Sequence, residues 1–197
     1  MGKQEFVMRR TASVEERVGA VQSLFDERGM SPAQTVEELQ HLAEEAWAAN
    51  GRRIVAKAWS DPRFRDRLLA DGASAVAELG MPMPKHHRHL VVLENAPKVQ
   101  NVICCTLCSC TAFTLIGLPP DWYKDLEYRS RVVRESRTVL REMGLDLAAD
   151  VEVRVWDTTA DTRYMVLPER PAGTEGWSEE KLVGIVTRDS LIGVARL

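Results

Sequence analysis

All four cysteines of this 197-residue chain lie in one short stretch, "NVICCTLCSCT", from Asn101 to Thr111. Three of them, Cys105, Cys108 and Cys110, stand at i, i+3 and i+5. The three-residue step lets a tight turn aim two thiols at one point. The next step is C-x-C, too short for an easy disulfide, whose Cα separation and dihedral are restrictive. It suits a chelate. A metal held by the Cys108 and Cys110 sulfurs lies close to the backbone nitrogens of Ser109 and Cys110. Once those amides lose their protons, two nitrogens join three sulfurs in a claw with one open position. Deprotonated amides demand a strongly Lewis-acidic ion such as Co(III) or Fe(III), and this soft, anionic set is unlike the oxygen sets of Mg or Ca. Cys104 is different. With Val102 to Cys105 extended, its side chain points to the face opposite Cys105, and the core is the usual place for a free cysteine.

Two other chemistries fit the same thiols. A structural zinc site wants four ligands, so a histidine from "KHHRH" (residues 85–89) would have to complete it. A redox dithiol through Cys105 and Cys108 would want a thioredoxin-like strand before a helix, and the surrounding pattern does not supply one.

The chain as a whole is ordinary for a soluble globular protein: 45% hydrophobic, 28% charged, net charge -3 with both signs interspersed. That balance argues against a nucleic-acid surface. No apolar run approaches the length of a membrane span. The opening "MGKQEFVMRRTASVEE" lacks the apolar segment of a secretory leader, so a cytoplasmic location is expected. There, clustered cysteines are metal ligands or redox groups more often than structural disulfides.

Periodicity predicts helices first. Ser13 and Glu16 form a capping box ahead of a helix that stops near Gly29. Ser31-Pro32 opens a second helix, with Val36, Leu39, Leu42, Ala43 and Ala46 at helical spacing. Asp61-Pro62 starts a third, and "ASAVAELG" a short fourth. The pattern then changes. "HLVVLE", "VEVRVWD" and "RYMVLP" read as strands, and the second of these alternates as a half-buried one. "PPDWYKDLEYRSRVVR" and "SRTVLREMG" read as two helices. "PERPAGTEGW" is a turn-rich loop, and Ser178 caps a helix running to about Val186. The expected class is α+β. A helical N-terminal region covers residues 1–84, and an α/β metal-binding catalytic domain covers 85–197.

Cys105-Thr106-Leu107-Cys108-Ser109-Cys110 resembles the C-[ST]-L-C-S-C claw of nitrile hydratase α subunits and of the related thiocyanate hydrolase γ subunit. The likeness runs from about Arg17 to the end, through "RIVAKAWSDPRFRDRLLADG", "GLPPDWYKDLEYRSRVVRE", "VRVWDTTADTRYMVLPERPAGTEGW" and "LIGVA". It implies a four-layer α-β-β-α domain behind a helical arm. It implies low-spin Co(III), or Fe(III), held by the sulfurs of Cys105, Cys108 and Cys110 and the amide nitrogens of Ser109 and Cys110. Cys108 would be a sulfinic acid and Cys110 a sulfenic acid. The reaction it implies is hydration of a nitrile to an amide, with Cys110 the nucleophile or base and Ser109 positioning water. A β-type partner subunit and a metallochaperone are implied as well.

Around the claw, Thr106 matches cobalt-type members, whereas Thr111 matches the iron type; Thr106 lies inside the claw and favours cobalt. Asp157 and Arg163 fall where the family has an aspartate and an arginine behind the claw, and the same two residues also read as a strand-end ion pair. The chain departs from common members at Phe113-Thr114, where they have Trp-Pro. It departs again at His86-His87-Arg88, where many have Gln-Gly-Glu. These positions border the expected pocket and leave room for a larger or more polar nitrile, such as the nucleoside antibiotic toyocamycin handled by one branch of the family. The histidine run also reads as a solvated loop. The alternatives to nitrile hydration are thiocyanate hydrolysis at the same claw and a non-enzymatic zinc-binding interaction module.

Overall fold

The computed structural model describes residues 12–85, 87–108 and 110–197, and the chain divides into two compact units, Met1–His41 and Leu42–Leu197. In the first unit, α1 (Val14–Glu27) opens on the predicted capping box. The Glu16 N–H donates to Ser13 Oγ at 3.1 Å, and the Ser13 N–H donates to the Glu16 carboxylate at 2.7 Å. Ser31 Oγ accepts from the Gln34 N–H at the start of α2 (Pro32–His41). Neither helix has a buried residue. Val14, Val18 and Val21 form an exposed apolar stripe on α1, at the i, i+4, i+7 spacing of one helix face.

The second unit begins with a π-helical segment, Leu42–Trp47, where the sequence predicted plain helix to Ala46. Next comes α3 (Ala48–Ser60), for which the sequence carries no start signal. Asn50-Gly51 is an ordinary turn signal, but here it lies inside a helix. A Cβ on Gly51 would stand 2.8 Å from the Leu115 carbonyl oxygen, so the glycine admits close packing rather than a turn. Helices α4 (Pro62–Ala70) and α5 (Gly72–Glu78) are capped by the carboxylates of Asp61 and Asp71. Strands β1 (His89–Glu94) and β2 (Val99–Cys104) follow, then the short helices α6 (Phe113–Ile116) and α7 (Asp121–Lys124).

Helix α8 (Leu126–Glu142) departs from the prediction at two points. Asp125 is extended and caps α8 by accepting from the Glu127 N–H, which separates α7 from α8. The two helices predicted further on are one, bent at Glu135, where φ is -138° and ψ 44°. Strands β3 (Glu152–Asp157) and β4 (Thr162–Leu167) come next. The helix capped by Ser178, α9, ends at Val183, and Thr187 then caps a separate helix, α10 (Arg188–Ile192).

Both strand pairs are parallel: β1 with β4, and β2 with β3. Helices α4 and α5 pack on β1, β2 packs against β4, and α8 covers β3. The packing order is therefore helix, sheet, sheet, helix, as expected of an α+β chain of this kind. Strand β2 is buried from Gln100 to Cys104 and lies at the centre of this stack.

Gly193 fits the end of α10 against β2. Its φ is +93°, and a Cβ there would come within 1.9 Å of the Asn101 carbonyl oxygen. The Gln100 side chain donates to the Gly193 carbonyl at 2.7 Å. Gly193→Ala should therefore cost about 3 kcal/mol from backbone strain alone, with the clash adding to it. Urea unfolding followed by circular dichroism measures this; a midpoint unchanged from the parent would contradict the packing described.

Candidate metal centre

Parallel pairing places Cys104, the last residue of β2, opposite Asp157, the last residue of β3. Both strands thus end at the same edge, and the cysteine loop leaves from it. Cys104 is fully buried, as predicted. Burial, and then the charges of Asp157 and Cys105, push its thiol up to about 12. At neutral pH it is a neutral core side chain.

The other three sulfurs converge. Cys105 Sγ is 3.3 Å from Cys108 Sγ, Cys108 Sγ is 2.7 Å from Cys110 Sγ, and all three lie within 4.8 Å of one another. With metal–sulfur bonds of about 2.3 Å, two sulfurs at a right angle on one ion stand about 3.3 Å apart. The Cys105–Cys108 separation matches that figure and the Cys108–Cys110 separation is shorter, so the three sulfurs converge closely enough to share one ion once that second pair spreads. Cys105 is buried, Cys110 half-buried and Cys108 exposed, which grades the cluster from core to surface. Burial first, then the hydrogen bond with Cys108 and the charges of Cys108 and Cys105, push the Cys110 thiol up to about 12. The positive charge of Arg163 opposes this. A bound cation must displace that proton.

The loop is tied down at alternate residues. The Thr106 N–H donates to Asp157 Oδ1 at 2.9 Å, and its hydroxyl donates to Oδ2 at 2.5 Å. An Arg129 Nη1 donates to the Cys108 carbonyl at 2.8 Å. The Tyr123 hydroxyl donates to the Cys110 carbonyl at 3.1 Å, and that of Tyr128 to the Ile103 carbonyl at 2.9 Å. Burial raises both phenols well above their ordinary range, so they remain neutral donors. Tyr123, Tyr128 and Arg129 were not singled out from sequence. Their only signal was two tyrosines and an arginine in the helical stretch after the claw.

Thr106 and Asp157 are thus brought together, but Asp157 and Arg163 are not joined by any ion pair among the described residues. Arg163 is buried on β4, and its Nη1 donates to the carbonyls of Thr159, Ala160 and Thr162 at 2.5, 3.3 and 3.1 Å. Its Nε is buried without an acceptor. Ser109 and His86 lie outside the described residues. His87 is buried rather than solvated, with its ring 5.5 Å from that of Phe113. The Phe113 ring also lies 5.2 Å from that of Trp47.

A trio of convergent thiols at the edge of a helix–sheet–sheet–helix fold defines a thiolate metal-site protein. Comparison with known proteins makes the class specific. The family model of the nitrile hydratase α chain matches residues 12–195. The α subunit of the low-molecular-weight cobalt-containing nitrile hydratase of Rhodococcus rhodochrous is 45% identical over 188 residues, covering 95% of this chain and 90% of that one. The γ subunit of thiocyanate hydrolase from Thiobacillus thioparus is 39% identical, covering 89% and 76%. Among solved structures, a doubly histidine-substituted Fe-type nitrile hydratase from Comamonas testosteroni Ni1 superposes with a TM-score of 0.84 at 56% identity, covering 93% and 89%. The chain belongs to the nitrile hydratase α-chain family.

If Asp157 holds the claw through Thr106, Asp157→Ala should lower metal content about 10- to 100-fold, the usual loss when a supporting residue behind a metal site is removed. Cys104→Val should leave it at the parental level. Metal analysis of the purified proteins, with circular dichroism to confirm folding, reads both. Equal metal content in the two variants would contradict these roles.

Proposed function

We propose that this chain is the metal-bearing subunit of an enzyme that hydrates nitriles to amides. The observation that carries this reading is the convergence of Cys105, Cys108 and Cys110 Sγ within 4.8 Å in a chain of this family. The proposed ligands are those three sulfurs with the amide nitrogens of Ser109 and Cys110. Cys108 is proposed to work as a sulfinate and Cys110 as a sulfenate. When bound, the trivalent metal supplies Lewis-acid polarisation of the nitrile or of water. Residues 85–197 hold every proposed ligand and are the proposed catalytic region; residues 1–84 are proposed as a region ahead of it, helical over its described elements from Val14 to Glu78.

The chain's own groups then have distinct tasks. The sulfenate oxygen of Cys110 acts on the nitrile carbon, as nucleophile or as base toward the attacking water. The Ser109 hydroxyl positions that water. Overall, R–C≡N and one H2O give R–CO–NH2, with no net change of oxidation state. Arg163 is suited to orienting the oxidised sulfurs. Its charge acts on Cys110, and its buried Nε has no acceptor among unmodified thiols. Oxygen on sulfur would supply one through a charge-assisted bond. Asp157 sets the loop through Thr106, and His86 is the proposed residue near the metal pocket.

Cobalt is the proposed metal, supported by Thr106 and by the likeness to the cobalt-containing Rhodococcus enzyme. Iron is the second reading, favoured by Thr111 and by the 56% identity to an Fe-type structure. Zinc with unmodified thiols is the non-enzymatic reading. A β-type subunit is the proposed partner, supported by the exposed Val14, Val18 and Val21 stripe on α1. Low-spin Co(III) exchanges ligands slowly, so a metallochaperone is proposed to load the site. The cytoplasm is the proposed compartment; no described helix is long and apolar enough to cross a membrane.

The test is co-production of this chain with a β-type subunit in cobalt or iron medium. Metal analysis and intact mass should give one cobalt or iron per chain, two added oxygens on Cys108 and one on Cys110. Aromatic and nucleoside nitriles should be hydrated, with turnover rising sharply on adding the partner. Zinc with unmodified thiols contradicts this reading, and turnover of thiocyanate but not nitriles transfers it to the thiocyanate reaction.

A further inference from the structure

The first turn of α8 reaches β2 through Tyr128 and the claw through Arg129. Arg129 Nη1 donates to the Cys108 carbonyl oxygen at 2.8 Å. That oxygen and the Ser109 nitrogen are two ends of one planar peptide group. Whatever holds the oxygen therefore sets the direction of the nitrogen. Under the claw reading above, on which this inference rests, that nitrogen is a metal ligand, and the peptide shares its negative charge with the oxygen Arg129 touches.

A second observation is independent of that bond. Arg129 Nε is buried and has no hydrogen-bond partner among the described residues, and a buried orphan donor is costly. Other arginines of α8 do not share this situation. Arg131 binds the carboxylates of Glu127, Glu135 and Glu142. Among the described residues no carboxylate pairs with Arg129. Its surroundings make sense beside a group that gathers negative charge and acceptor oxygens, as a metal-loaded, oxidised cysteine loop does.

We propose that Arg129 is a positioning residue of the metal claw: it fixes the peptide between Cys108 and Ser109 and offsets the negative charge the loop gathers on binding metal. Tyr123 holds the next tied carbonyl, that of Cys110, with a neutral donor. The cation is thus placed at the peptide linking two proposed ligand residues.

The test uses the full chain co-produced with its β-type partner in medium containing cobalt or iron. Arg129→Met should lower metal per chain about tenfold or more and shift the visible charge-transfer bands of the metal that remains. Far-ultraviolet circular dichroism should stay parental. Arg129→Lys, which keeps the charge without the planar fork, should fall between parent and Arg129→Met. Arg131→Met, which breaks the surface network of the same helix, should leave metal content and bands unchanged. Parental metal and bands in Arg129→Met overturn the proposal. So does an equal metal loss in Arg131→Met, because the effect would then be one of helix stability. If Arg129→Met does not fold, Arg129→Gln decides by the same readings, a severalfold loss supporting the proposal and parental content overturning it. A metal-free parent overturns the claw reading itself, whatever the variants show.

Discussion

The Asp157 carboxylate, accepting from both the backbone and the hydroxyl of Thr106, is the constraint on which the site depends. Three sulfurs crowded within one loop gather negative charge as they lose protons, and the loop's own geometry does nothing to oppose their spreading. An external acceptor at the loop's start does. Hydrogen bonds to a charged group contribute about 1.5–3 kcal/mol each, enough to select one loop conformation from several. Asp157 can provide them because the β2–β3 register sets Cys104 directly opposite it. A slip of one residue would turn Asp157 to the other face of the sheet and leave Thr106 without its acceptor.

The fold behind this edge serves to make β2 immovable. The strand is buried from Gln100 to Cys104, with α10 closing on it at Gly193. The Asn101 side chain bonds to the Glu94 carbonyl and to Asn95, and accepts from the Trp156 indole. From the other side, α7 and α8 bring Tyr123, Tyr128 and Arg129 to carbonyls of β2 and the loop. The loop is therefore gripped at Thr106, Cys108 and Cys110, while the cluster grades outward from buried Cys105 to exposed Cys108. That gradient leaves one side of the sulfurs exposed.

Local signals were legible in the sequence. The Ser13 capping box, the proline-started helices and the alternating β3 each follow from side-chain chemistry within a few residues. The claw spacing was legible for the same reason, and so was the separation of Cys104 from Cys105 by strand alternation. What was not legible depends on distant packing. Helix α3 contains Asn50-Gly51, which its close packing against Leu115 and Leu191 explains. Helices α6 and α10 are too short to show a period. The ties from Tyr123 and Arg129 cross from one element to another, so no spacing rule reveals them. Asp157 and Arg163 looked like partners because both lie near the claw, yet each has a different acceptor or donor to serve.

X-ray absorption at the metal edge, on the chain co-produced with its partner, tests the central claim most directly. The account predicts a trivalent cobalt or iron with three sulfur and two nitrogen neighbours from the protein. A tetrahedral zinc with sulfur and histidine neighbours, or a metal bound by sulfur alone, would contradict it.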